Sequence, residues 1–153
     1  MKYLPIGLDL RGRTCVVVGG GKIGTRKATN LLQAGAAVTV VSPEATENLV
    51  QLAREKRLVW HKEAYRGGVL DGAFLAVAAT DDEDTNIRLV RDARTRGVLA
   101  CDASDASRSE VIFGALHHGD GVTLAVFTDG RDPSLARKTR DRIAALRDDW
   151  EEK

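Results

Sequence analysis

The stretch Gly19-Gly20-Gly21-Lys22-Ile23-Gly24 has the spacing G-x-G-x-x-G, directly after the β-branched run Thr14–Val18 and directly before a helical pattern. In that context each glycine of the motif has a physical reason to be there. Gly19 permits a tight turn, Gly21 lets the main chain approach a pyrophosphate, and Gly24 lets helix and strand pack closely. The first turn of the helix, at Lys22, Ile23 and Gly24, offers unpaired N–H groups and a positive dipole end to an anion. The chemistry implied is dinucleotide binding. The acidic residue that such sites place about 20 positions on, for the ribose hydroxyls, has no counterpart at the end of the next strand, where Ser42-Pro43-Glu44 stands. Ser42 can hydrogen-bond a ribose and Glu44 would repel a 2′-phosphate, which leans towards NAD; Arg26 and Lys27, a turn into the helix, leave NADP open. Thr80, in Ala79-Thr80-Asp81-Asp82, has two readings: a contact on the nicotinamide side of the cofactor, or, with Asp81 or Asp82, a cap for the following helix.

These residues need a scaffold, and the pattern supplies one. Thr14–Val18 is short, apolar and continuous, as a strand buried on both faces reads. Residues 22–33 carry Ile23, Ala28, Leu31 and Leu32 at helical spacing and stop at Gly35. Residues 37–41 read as a strand, 44–56 as a helix with Leu49, Val50 and Leu52 inward, and 58–61 as a short strand. Residues 65–68 read as a loop, 74–79 as a buried strand, 84–96 as a helix through Ile87, Leu89, Val90 and Ala93, and 98–101 as a last strand. Strands alternating with helices predict an α/β fold, a Rossmann-type doubly wound parallel sheet over residues 1–110.

After Asp105 the pattern changes. Residues 111–117 and 122–128 are two strand-like runs separated by His118-Gly119-Asp120-Gly121, which predicts a hairpin. Asp132 and Pro133 then supply an N-cap and an N1 proline for a helix reaching about Trp150, with Leu135, Ile143, Leu146 and Trp150 along one stripe. Residues 111–153 are too few to bury that stripe alone, so this small hairpin-plus-helix domain is expected to form a homodimer, a dimerisation and substrate-binding unit.

Together the motifs resemble one family, the precorrin-2 dehydrogenase and sirohydrochlorin ferrochelatase module of siroheme synthases. The resemblance is carried by Leu4-Pro5 and Leu10, by residues 18–27 with the glycine loop and Arg26-Lys27, by Val40-Val41-Ser42-Pro43, by Ala78-Ala79-Thr80-Asp81-Asp82 with Asn86, by Asp105, and by residues 132–137. It implies oxidation of precorrin-2 to sirohydrochlorin with NAD, in some members followed by insertion of ferrous iron as a second substrate, in a homodimer. It maps the family's central aspartate onto Asp105, as the base that takes a proton in the dehydrogenation and from the pyrrole nitrogens as iron enters. It also maps the family's serine pair onto Phe127 and Thr128, on the substrate side. Arg131 and Arg137 have two readings from the residues themselves: guanidinium forks that meet the carboxylates of the substrate, or a solvated helix face balanced by Asp132, Asp141, Asp148 and Asp149. The sequence departs from the family at Asp102, where asparagine is usual, and at Val111, Gly114 and Phe127. Asp102 and Asp105 stand three residues apart, a spacing at which like charges raise one of the two pKa values. A different class of protein keeps the same first half: a catalytically impaired, NAD-binding regulatory module of this fold.

Composition bounds the remaining choices. Lys and Arg total 23 against 22 acidic residues in a chain of 153, a formal charge of +1 that gives no general attraction to nucleic acid or to an anionic membrane. The apolar runs fall well short of the roughly 20 residues of a membrane span, and a signal-peptide core is missing, so the expected location is cytoplasmic. Cys15 and Cys101 fit no metal spacing and read as buried thiols. His117 and His118 are neighbours on a strand and point to opposite faces, a poor chelating pair. No bound metal is expected.

Overall fold

A computed structural model of the protein describes residues 1–119 and 121–147. They divide into two compact units, Gly7–Val111 and, separately, Met1–Ile6 with the chain from Ile112 onward.

The larger unit holds a five-stranded parallel sheet: β1 Thr14–Val18, β2 Ala37–Val41, β3 Val59–His61, β4 Leu75–Ala78 and β5 Leu99–Asp102, in the spatial order β3-β2-β1-β4-β5. The chain therefore leaves β1 towards β2 and β3, then returns to the other side of β1 for β4 and β5. A crevice opens at this switch, beyond the carboxyl ends of β1 and β4. The pairing Val18↔Val41 on one side and Val18↔Ala78 on the other brings the ends of β1, β2 and β4 level. The loops that follow all three consequently start at one edge.

Three helices cover the sheet: α1 Lys22–Gln33, α2 Glu47–Arg54 and α3 Glu83–Thr95. Val16 and Val18 face a cluster that includes Leu70, Ala76, Leu89, Val90 and Ala93, while Cys15 and Val17, fully buried, belong to the opposite face of the strand. Helix α1 ends in a Schellman motif, with Ala36 N–H bonded to Leu31 O and Gly35 N–H to Leu32 O, and Gly35 at φ +80°. Helix α2 is shorter than the expected 44–56 because Thr46 caps it: its Oγ1 accepts from Leu49 N–H at 3.4 Å, and its own N–H is bonded to Gly20 O. Ile23 and Ile87, expected inward, are exposed; in their stead α1 buries Gly24 and Thr25, and α3 buries Asn86. Residues 67–70 form a 3₁₀ turn instead of a simple loop, anchored by buried Tyr65 and Leu70.

The smaller unit is the antiparallel hairpin β6 Ala115–Gly119 and β7 Val122–Val126 with helix α4 Pro133–Arg147. β6 begins four residues later than expected, because Glu110 and Val111 N–H both bond to Ala100 O and belong to the edge of the larger unit. Asp132 caps α4, its carboxylate accepting from Leu135 N–H at 2.8 Å. The face of α4 towards the hairpin is Ala136, Thr139, Arg140 and Ile143, and Arg140 Nη1 donates to Leu116 O at 3.0 Å. Leu135, one position before Ala136 and so off the i, i+3, i+4, i+7 register of this stripe, is 52% exposed, and Leu146, near the end of the helix, is 54% exposed; Trp150 lies outside the described residues. Residues 1–6, which the sequence places with the larger domain, group here with the smaller unit: the N–H groups of Lys2 and Tyr3 donate to Asp129 Oδ1.

A Cβ added at Gly24 would lie 1.9 Å from Gly19 O, a backbone atom with no freedom to move aside. Gly24→Ala should therefore cost about 1–3 kcal/mol, read as a lower denaturation midpoint with an unchanged slope.

Candidate dinucleotide site

The carboxyl edge of the sheet opens into a cleft of about 1470 Å³. Its floor and walls gather Gly19, Gly21, Lys22 and Ile23 after β1, Ser42 and Pro43 after β2, Thr80 after β4, and Asp105 after β5. Gly24 does not line it and acts only through packing. Thr128, Arg131 and Arg137 belong to the smaller unit, where Arg131 and Arg137 are exposed and the Thr128 hydroxyl donates to Asp132 O. Arg26 is not among the lining residues.

The glycines separate into two kinds. Gly19 sits at φ +117°, and a Cβ there would lie 2.2 Å from Ala79 O; at Gly20 it would lie 2.1 Å from Glu44 O. Those two positions are glycine because the loops after β1, β2 and β4 touch through their main chains. Around Gly21 the space is open, with nothing within 4 Å of an added Cβ. No protein atom packs where a side chain at position 21 would begin, so the loop is open there to a close approach from the cleft.

Helix α1 begins beneath that opening. Its N-cap is Gly21, without a side-chain cap, its first turn carries no acidic residue, and its first main-chain bond is Thr25 N–H to Gly21 O. The N–H groups of Lys22, Ile23 and Gly24 thus have no acceptor within the helix. A pyrophosphate fits this cradle in shape and in sign of charge. Thr25 holds the cradle from below, its hydroxyl donating to Gly21 O at 2.8 Å and lying 2.7 Å from Thr46 Oγ1. Sequence reasoning missed both threonines and Gly20; the only trace was a third glycine in the run.

On the other side of the cleft, Thr80 is committed. Its hydroxyl lies 2.7 Å from Asn86 Oδ1 and 2.9 Å from Asp82 O, and accepts from Asp82 N–H. Asn86, 1% exposed, accepts from Thr80 N–H and donates to Thr80 O and Ser104 Oγ, which ties the loop after β4 to the loop after β5. Thr80 thus closes the start of α3, with its hydroxyl engaged by Asn86 and Asp82.

Asp105 accepts from Ser107 N–H at 2.7 Å and caps the 3₁₀ turn Ala106–Arg108. Its carboxylate is 37% exposed at the cleft and lies 3.3 Å from Arg108 Nη1. Asp102, by contrast, is buried. Its Oδ1 accepts from Ser104 N–H, Ser104 Oγ and Asp105 N–H, and its Oδ2 from Arg108 Nε at 2.7 Å. Like-charge repulsion at this spacing predicts a raised pKa. At Asp102 burial does push upward, but the hydrogen bonds from Ser104 and Arg108 outweigh it and hold the carboxyl below its ordinary range. Cys101, behind it, is a free thiol that burial pushes up to about 11, so neither it nor the equally buried Cys15 is a nucleophile near neutrality. Among the described residues no cluster of His, Cys, Asp and Glu has the geometry of a metal site. His118 Nδ1 is instead paired with Thr123 Oγ1 across the hairpin.

A family model described as "Putative NAD(P)-binding" matches residues 6–115, which include the whole of the larger unit. The chain belongs to that family. Its curated relatives include siroheme synthases, 38% identical in Photorhabdus laumondii and 41% identical in Chromobacterium violaceum, each over 146 residues. The match takes in 95% of this chain and 31% of each relative, so the chain spans about a third of the length of these proteins. Among solved structures, SirC, a precorrin-2 dehydrogenase, is similar with a TM-score of 0.82 and 30% identity, covering 94% of this chain and 70% of SirC. That likeness extends through the sheet, the hairpin and the final helix, so the α/β architecture expected from the sequence stands.

Gly21→Asp places bulk and negative charge where the cradle is open. Dinucleotide affinity should fall more than tenfold, about 1.4 kcal/mol or more, with the thermal midpoint kept because an added Cβ has no protein atom within 4 Å; unchanged titration of NADH fluorescence would contradict the cradle.

Proposed function

We propose that this protein catalyses the NAD-dependent oxidation of precorrin-2 to sirohydrochlorin, a step in siroheme formation. The observation that carries this reading is the cleft at the sheet's carboxyl edge, bounded by the open Gly21 cradle and by the Asp105 carboxylate. The likeness to SirC and to siroheme synthases supplies the substrate class.

The oxidation removes a hydride and a proton from the tetrapyrrole. NAD, when bound, supplies the hydride acceptor. The rest falls to the chain. The N–H groups of Lys22, Ile23 and Gly24 hold the pyrophosphate across Gly21 and Gly19, while Ser42 and Pro43 border the ribose. Glu44 disfavours a 2′-phosphate, which gives NAD preference over NADP. Thr80 borders the nicotinamide side. Asp105, partly exposed at the cleft, takes the proton as general base. Precorrin-2 carries eight carboxylates, and the exposed guanidinium forks of Arg131 and Arg137, with Thr128 beside them in sequence, suit such groups. Insertion of ferrous iron as a second substrate would call on the same aspartate, as acceptor of the pyrrole protons.

Two further parts of the reading concern assembly and place. The smaller unit exposes Leu116, Val122, Leu135 and Leu146, an apolar surface suited to pairing with a second copy of this chain. Two buried, unpaired cysteines suit a reducing compartment, the cytoplasm. No helix among the described residues is long and apolar enough to cross a membrane.

The decisive assay incubates the protein with precorrin-2 and NAD and follows sirohydrochlorin by absorbance, with ferrous iron added in a second arm. Asp105→Ala should slow the dehydrogenation by about 10² to 10⁴ at unchanged NAD affinity; full activity in that variant removes Asp105 from the mechanism. For assembly, sedimentation should give a dimer at micromolar concentration, and Leu135→Asp should shift it to monomer while leaving the helical circular-dichroism signal intact.

A further inference from the structure

The loop that carries Asp105 is held by a residue that neither motif nor composition singles out. Arg108, on the 3₁₀ turn after β5, spreads its guanidinium over three carboxylates: Nε to Asp102 at 2.7 Å, Nη1 to Glu83 at 2.8 Å, and Nη1 to Asp105 at 3.3 Å. Its own carbonyl accepts from Arg94 Nη2 at 2.8 Å, which fastens the turn to α3. Asp102 contributes from beneath, since its Oδ1 collects the N–H groups of Ser104 and Asp105 and so fixes the main chain that aims Asp105 at the cleft.

We propose that Arg108 is a positioning residue for Asp105, a guanidinium bridge between the buried Asp102 carboxylate and the cleft-facing Asp105 carboxylate that fixes the base and keeps it ionised. This rests on the reading of Asp105 as the general base. The geometry makes two separable demands. A fork is needed because Nε and Nη1 point at different carboxylates at once, an arrangement a lysine ammonium cannot copy. A positive charge is needed because the groups facing Asp105 are Asp102 from β5 and Glu83 from α3, both negative, with Arg108 as the cation that touches all three. Loss of the charge removes the Arg108 cation from beside Asp105 and leaves the Asp102 and Glu83 carboxylates there, and like-charge repulsion then raises the pH at which Asp105 takes a proton. Arg108 also answers the question of how a carboxylate at Asp102 is tolerated with its side chain fully buried: Nε closes the face that Ser104 leaves open.

The test is a pH–rate profile of the dehydrogenation paired with a ¹³C carboxyl titration of the cofactor-free protein. In Arg108→Gln the acid limb of kcat and the Asp105 carboxyl titration should both move upward by about one pH unit or more, with NAD affinity within about twofold, since the Gly21 cradle is untouched. Arg108→Lys should return the limb to its wild-type position and still show a lower kcat, because the charge is restored and the fork is not. A Gln variant that loses thermal stability and amplitude with the limb unmoved assigns Arg108 a structural role and overturns the proposal, as does a Lys variant with full kcat; the Lys variant and the titration decide the matter if the Gln variant does not fold. Asp105→Ala separates the two layers. If that variant turns over at the wild-type rate, the reading of Asp105 fails and the proposal with it; if it is inactive while Arg108→Gln matches wild type in rate and limb, the Arg108 proposal alone fails.

Discussion

Three main-chain segments meet at the carboxyl edge of the sheet at distances that leave no room for a single methyl group. Gly19 lies against Ala79, Gly20 against Glu44, and Gly24 against Gly19, each with space for hydrogen and for nothing larger. Because these contacts are between backbones, side-chain rotation cannot relieve them. The level ends of β1, β2 and β4, the entry of α1 and the turn into α3 all depend on that crowding. So does the contrast with Gly21, whose surroundings are empty on the side where its neighbours' are full.

A second level of order is polar. Thr25 and Thr46 join the glycine loop to α2, Asn86 joins the loop after β4 to the loop after β5, and Asp102 gathers the turn that bears Asp105. In each case a short side chain serves the main chain of a neighbouring loop, the type of bond that fixes irregular segments lacking a ladder of their own. Among the described residues, every buried side-chain nitrogen and oxygen that lies away from solvent has a partner. An edge built in this way positions groups without stiff helices or strands reaching into the cleft.

Much of this was legible in the sequence, because the large unit obeys periodicities that burial imposes. Continuous runs such as Thr14–Val18 are apolar on both faces, and Gly35 and Pro133 punctuate helices through backbone geometry, so strands and helix ends followed directly. What was not legible was pairing over distance. Nothing local marks Thr25 and Thr46 as partners, or Asn86 as a buried tie, because each residue taken alone at its place in the chain looks like part of a solvated face or a simple cap. Arg108 is the clearest case: one arginine among many basic residues, distinguished only by the three carboxylates that the fold brings to it. On α4 the expected stripe and the packed face share Ile143 and part at Leu135, which looks like core while its neighbour Ala136 is the buried residue.

The grouping of Met1–Ile6 with the chain from Ile112 makes the larger unit an insertion within the smaller one. Translation runs in one direction, so the opening residues leave the ribosome long before Asp129, the acceptor for the N–H groups of Lys2 and Tyr3, has been made. Residues 7–111 contain every strand and helix of their own sheet and can complete it during that wait. Residues 1–6 are then seated after the sheet that follows them, once the segment bearing Asp129 has been made.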